Sequence, residues 1–174
     1  MPGRAHLRPA ASPARRPSLR RLGAVACTAS LLALGACSGP LVVRSPDATG
    51  PTARACRALV AALPDRVADQ DRRKVDAGGG YAAAWGDPAI ELRCGVPHPR
   101  RLDRFSTCQV TNGVGWFIPE SQIQGRPVPI TMTTVGRAEN VEVRLPRDYF
   151  PPAAAMADLA PAIKATIRDV RPCV

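Results

Sequence analysis

Six cysteines, Cys27, Cys37, Cys56, Cys94, Cys108 and Cys173, are the residues of this 174-residue chain whose type alone promises chemistry. Zinc is a poor use for them, because no Cys-x-x-Cys spacing occurs and the only histidine outside the N-terminal segment is His98. No metal and no cofactor is therefore expected. His98 stands between Pro97 and Pro99, which reads as an exposed turn and not as the seat of a general base. Asp87 and Glu91 are the nearest approach to a carboxylate pair, yet Asp before Pro organises a turn, and Glu91 falls at an outward position of an alternating run. Gly78-Gly79-Gly80 lacks the Lys-Ser/Thr of a phosphate-binding loop and reads as a flexible connector. No catalytic residue is assigned. A candidate binding surface remains in Trp85, Asp87, Arg93, Trp116 and Arg137. Guanidinium forks suit carboxylate or phosphate, and indole faces suit sugar rings or cations. The competing use of the two tryptophans is core packing, since they are the largest apolar residues in a chain with two Trp, two Tyr and three Phe. For the arginines it is pairing with Glu91, Glu139 or Glu142 on the sheet surface.

Charge must be read by position. The 24 Lys+Arg and 14 Asp+Glu give a net charge of +10, but residues 1–36 hold six arginines (Arg4, Arg8, Arg15, Arg16, Arg20, Arg21) and no acid. The rest of the chain then carries 18 basic and 14 acidic side chains, a net of +4. That removes the main reason to expect a nucleic-acid partner, which needs its basic excess on the folded surface. An Arg- and Pro-rich opening is followed by an apolar run over residues 22–36, shorter than the roughly 20 residues of a membrane-spanning helix. This is the layout of a secretory signal. Its end, Leu34-Gly35-Ala36-Cys37, resembles the bacterial lipobox, in which the Cys thiol is acylated by diacylglycerol and cleavage makes that Cys the new N-terminus. An ordinary secretory signal with an incidental Cys, or a short buried apolar helix, are the competing readings. Arg15-Arg16 and Arg20-Arg21 lack the flanking residues of a twin-arginine signal, so general secretion is the expected route.

The expected organisation is a lipoprotein signal peptide over 1–36, a lipidated N-terminus and flexible tether over 37–53, and one disulfide-bonded domain over 54–174. With Cys27 removed and Cys37 consumed, four cysteines remain in an oxidising compartment, and two disulfides follow. Sequence leaves all three connectivities open.

From Thr52, a possible cap, Cys56, Leu59, Val60 and Leu63 recur at helical spacing until Pro64. Residues 65–74 are highly charged and predict no element. Trp85-Gly86-Asp87-Pro88 is a turn by composition. Strand alternation then appears at Ile90, Leu92 and Cys94, and again over residues 109–118, with Val110, Val114, Trp116 and Ile118 on one side and Asn112-Gly113 suited to a tight turn. Strands follow over 128–135, where Pro127 and Pro129 suggest a start at a sheet edge, and at Val141, Val143 and Leu145. A closing helix carries Met156, Leu159, Ala160, Ile163, Ile167 and Val170 as its stripe, with Pro161 tolerable only near the first turn. The fold class is α+β, an antiparallel sheet of four or five strands with an N-terminal and a C-terminal helix packed on one face.

Trp85-Gly86-Asp87-Pro88-Ala89-Ile90-Glu91-Leu92-Arg93-Cys94-Gly95-Val96-Pro97, Val110-Thr111-Asn112-Gly113-Val114-Gly115-Trp116 and Thr133-Thr134-Val135-Gly136-Arg137 resemble, over about residues 55–168, a family of short secreted actinobacterial proteins catalogued as a domain of unknown function. The resemblance implies no activity. It does imply pairing of Cys56 with Cys94, leaving Cys108 with Cys173. Antiparallel terminal helices would instead bring Cys56 to Cys173 and leave Cys94 with Cys108. The functional expectation is a non-enzymatic module, lipid-anchored at Cys37 on the outer face of the cytoplasmic membrane. It would bind an envelope protein or cell-wall component. An enzyme acting on cell-wall material is the alternative.

Overall fold

A computed structural model describes residues 39–171 and Cys173. The signal peptide expected over residues 1–36 and the expected lipidation site Cys37 lie outside the described residues. Among the described residues the fold is α+β: two helices and a large antiparallel sheet. In chain order the elements are β1 (Leu41–Val42), α1 (Gly50–Ala62), β2 (Arg66–Val67), β3 (Gln70–Arg73), β4 (Val75–Asp76), β5 (Ala82–Trp85), β6 (Ile90–Cys94), β7 (Cys108–Thr111), β8 (Val114–Phe117), β9 (Ile130–Val135), β10 (Val141–Leu145) and α2 (Ala153–Thr166). Eight strands form one sheet in the order β2-β3-β5-β6-β10-β9-β8-β7, and β1 pairs in parallel with β4 as a separate two-stranded unit. The expected four or five strands are therefore too few.

The strands absent from the expectation are those without alternation. β2 and β3 form a hairpin inside the charged stretch, turned by Ala68 and Asp69 at φ 47° and 61°. Val67 is its one fully buried apolar side chain. Arg72 donates from Nη1 to the Leu63 carbonyl at 3.1 Å and from Nη2 to the Val60 carbonyl at 2.8 Å, meeting carbonyls that the end of α1 leaves without helical partners. β5 is buried at all four positions because both of its faces are covered. Ala83 and Trp85 join the main core, while Ala82 and Ala84 pack beneath Val43, with Leu41 and Val75 around them.

The main core lies between the helices and one face of the sheet, here called the inner face. Ile90, Leu92, Val114, Trp116, Ile130, Met132, Val141 and Val143 supply the sheet side, and Cys56, Leu59, Met156, Leu159 and Ile163 the helical side. The register places Glu142 opposite Arg93 and Thr133, and Arg144 opposite Glu91 and Thr131, so these side chains share the outer face.

Several local expectations change. Residues 37–53 are not a free tether throughout: Leu41 donates to the Lys74 carbonyl and Val43 to the Asp76 carbonyl, both at 3.0 Å, and Val43 is 2% exposed. Thr52 lies inside α1 and donates to Glu139 Oε1 at 3.1 Å instead of capping. Val110 is exposed, because the Asn112-Gly113 turn sets it opposite Gly115 on the outer face of edge strand β7. β9 begins only after both prolines and runs inside the sheet, between β8 and β10. Pro161 sits within α2, and Val170 lies exposed beyond the helix end. Pro161 is exposed, so the helical hydrogen bond it cannot donate is lost on the solvent side of α2.

Candidate functional site

The five residues singled out from sequence do not converge. Trp85 is fully buried on β5, and its indole N–H donates to the Pro64 carbonyl at 3.0 Å, tying the end of α1 to the sheet. Trp116 is fully buried on β8 with no hydrogen-bond partner for Nε1 among the described residues. Both are core residues, so neither offers an indole face to a ligand. Asp87 is exposed in the β5–β6 turn, 3.8 Å from Arg73 Nη1. That turn has a cis Asp87-Pro88 peptide and Gly86 at φ 73°. The Tyr149 hydroxyl donates to the Pro88 carbonyl at 2.9 Å and Arg73 donates to the Gly86 carbonyl at 3.1 Å.

Arg137 is the main correction. Expected as an outward cation, it has a side chain only 5% exposed. Its Nη1 donates to the Ile167 carbonyl at 3.1 Å, its Nη2 to the Gly113 carbonyl at 2.7 Å, and Asp169 Oδ2 lies 3.8 Å away. The chain after α2 folds back along the β9–β10 loop, with Val170 and Ala138 amides donating to the Gly136 and Arg168 carbonyls, both at 2.8 Å. The guanidinium thus joins the end of α2 to the β7–β8 turn. The return is hidden in the sequence because Val170 falls three residues after Ile167 and so extends the helical stripe past the true end of α2 at Thr166.

Arg93 does occupy the outer face, where it pairs with Glu142, whose carboxylate also accepts from Arg144 Nε at 3.2 Å. The Arg93 Nε is buried without a partner among the described residues. Glu91 stands on the same face of β6, opposite Ala84 and Arg144. No hydrogen bond joins Asp87 to Glu91 among the described residues, and His98 is exposed between its prolines. No group of three His, Cys, Asp or Glu placed to hold a metal ion occurs among the described residues.

The disulfides divide between the two faces. Cys56 and Cys94, both fully buried, join α1 to β6 across the inner core with a Cα separation of 5.5 Å. Cys108 and Cys173 join edge strand β7 to the C-terminal segment, Cα atoms 6.1 Å apart. These are the pairs that the family resemblance implies; the helix-to-terminus alternative is not the one present. The second bridge lies over Gly115, where an added Cβ would sit 2.9 Å from Cys173 Cβ and 3.2 Å from Cys108 Sγ.

A cleft lies elsewhere on the sheet. Residues 97–107 arch over the outer face, and between this loop and residues 117–123 is a cavity of about 350 Å³. Arg101, Asp103, Ser106 and Glu120 bring polar groups to it, and Phe105, Phe117 and Ile123 bring apolar surface. Through Arg101, Phe117 and Pro119 it continues into a second cleft floored by Thr131, Thr133 and Glu142. None of Trp85, Asp87, Arg93, Trp116 or Arg137 lines either one. The signal missed in sequence is Phe105. It is 80% exposed in an aromatic-poor chain, with the Arg104 guanidinium 4.7 Å above its ring.

No helix among the described residues is long and apolar enough to cross a membrane. No curated protein and no solved structure matches the chain. A family model described as "Protein of unknown function (DUF3515)" matches residues 18–172, so the chain belongs to that family.

Proposed function

We propose that the protein is an extracytoplasmic lipoprotein, anchored through Cys37 on the outer face of the cytoplasmic membrane, whose domain binds an envelope protein or cell-wall component. The observation that carries the binding role is the outer-face cleft beneath residues 97–107. It combines a guanidinium, carboxylates, a hydroxyl and an exposed phenyl ring in one concavity, the mixture of apolar surface and a few convergent polar groups typical of binding sites. The anchoring role draws on Leu34-Gly35-Ala36-Cys37 at the end of the apolar run over residues 22–36.

Mass analysis of the mature N-terminal peptide tests the anchor. A diacylglyceryl-modified Cys37 is expected, and Cys37→Ala should leave the protein uncleaved or released from the membrane. An unmodified N-terminus starting elsewhere rejects it. For the cleft, the membrane-anchored protein is crosslinked in its own membranes and its partners are compared with those of an Arg101→Ala/Phe105→Ala variant. Both side chains are exposed, so folding should be kept while the partner is lost. Full retention of partners moves the binding surface elsewhere. Cleavage of cell-wall fragments by the purified protein, abolished by Asp87→Ala or Glu91→Ala, is the result that would install an enzyme in its place.

A further inference from the structure

We infer that the domain does not swing on a long tether but is held against the lipid headgroups, with the β1–β4 pair as the surface nearest the bilayer. This rests on the lipid-anchored reading above. If Cys37 carries the lipid, only Ser38, Gly39 and Pro40 separate it from β1. From Cys37 to Leu41 the chain can reach at most about 14 Å when fully extended, whereas a free tether running to residue 53 would reach several times farther. The short reach follows from the docking of β1. Leu41 and Val43 are fixed by backbone hydrogen bonds to Lys74 and Asp76, and Val43 is buried against Ala82 and Ala84. Those two alanines sit at outer-face positions in register with Arg93 and Glu91, so the sheet there offers small side chains where its neighbour offers charged ones. Val42, five residues along the chain from Cys37, is left 69% exposed.

The occupant is the lipid surface itself, and the covalent anchor, not charge, holds it there. Exposed Arg44 and Lys74 are offset by exposed Asp47 and Asp76 in the same region. Apposition should therefore form on uncharged phosphatidylcholine and persist in high salt, unlike a polybasic contact.

The test uses the full lipid-modified protein, reconstituted in phosphatidylcholine vesicles containing a headgroup-nitroxide lipid. A fluorophore is attached through Val42→Cys or, as the distant control, Val110→Cys. Both sites are exposed. Val110 lies on β7, five strands from β5 in sheet order, or roughly 24 Å at the usual interstrand spacing. Quenching several-fold stronger at position 42 than at 110 is expected. A flexible insert of about fifteen Gly and Ser residues after Ser38, adding roughly 20 Å of reach, should abolish that difference while the protein stays on the vesicles. Equal quenching at both sites, in protein whose Cys37 is shown by mass to be lipidated, overturns the apposition and leaves the lipoprotein reading standing. A difference that survives the insert also overturns the short-tether explanation. An unlipidated Cys37 removes both.

Discussion

The inner and outer faces of the eight-stranded sheet share every strand and differ in what covers them. The inner face is closed by two helices over Trp85, Trp116 and the Cys56–Cys94 bridge. The outer face is covered in patches: Val43 over β5, the Cys108–Cys173 bridge over Gly115, and residues 97–107 arching over the clefts between them. Continuous apolar cover makes the inner face a source of stability. Discontinuous cover, made by loops and chain ends, leaves on the outer face the concavities proposed above as the binding surface.

The sharpest way to break this contrast is to truncate one buried side chain on each side. Trp85→Ala should cost about 3–5 kcal/mol in urea denaturation, the usual range for emptying a fully buried aromatic site, with the added loss of its bond to Pro64. Val43→Ala within the outer cover should cost roughly 1.5–2 kcal/mol, the worth of the buried methyl groups removed. Equal losses would mean the N-terminal strand is as integral to the core as β5.

The disulfides test the same contrast at a smaller scale. Loops closed over sequence separations of 38 and 65 should each stabilise by about 4 kcal/mol in the chain-entropy model, the longer by about 0.5 kcal/mol more. Burial reverses that order. Cys56→Ala/Cys94→Ala also leaves a hole in the inner core, so it should be the more destabilising pair. If Cys108→Ala/Cys173→Ala proves worse, loop entropy outweighs packing. Arg137→Ala ranks next, at about 1.5–3 kcal/mol, because it strips charge-assisted bonds from the Gly113 and Ile167 carbonyls. A loss under about 0.5 kcal/mol, within the range of ordinary surface changes, would return Arg137 to the outer surface where its sequence position suggested it belonged.

That correction shows which part of the molecule was legible. Wherever one face of a strand is buried and the other wet, as at Ile90–Cys94 and Val141–Leu145, period-two alternation identified both the strand and its inner side. Helical spacing likewise found Cys56, Leu59, Met156, Leu159 and Ile163. Alternation vanishes when both faces are covered, so the Ala-rich β5 left no trace. It also vanishes in a two-residue strand such as β2, which buries one Val among charges. The candidate site was less legible still. Trp85, Trp116 and Arg137 stood out by residue type, yet two fill the core and the third is buried by a segment whose return to the sheet no local pattern announces. The cleft is made by a loop, and loop residues such as Arg101 and Phe105 acquire meaning only when the sheet beneath them is known.

The smallest expected effect concerns the outer face alone. Glu142 receives Arg93 on one side and Arg144 on the other, but the two arginines are not equivalent. The Arg93 and Glu142 side chains are 20% and 17% exposed, whereas Arg144 is 54% exposed. Screening by water should therefore reduce Arg144→Ala to within about 0.5 kcal/mol of the parent. The Arg93–Glu142 pair is shielded enough to retain a coupling of about 1 kcal/mol in a double-mutant cycle. High salt should leave most of that coupling in place and erase whatever Arg144 contributes. Two equal couplings, both lost in salt, would mean that the middle of the outer face is as open to water as its rim. The cleft floored by Glu142 would then hold a solvated carboxylate already screened from any ligand.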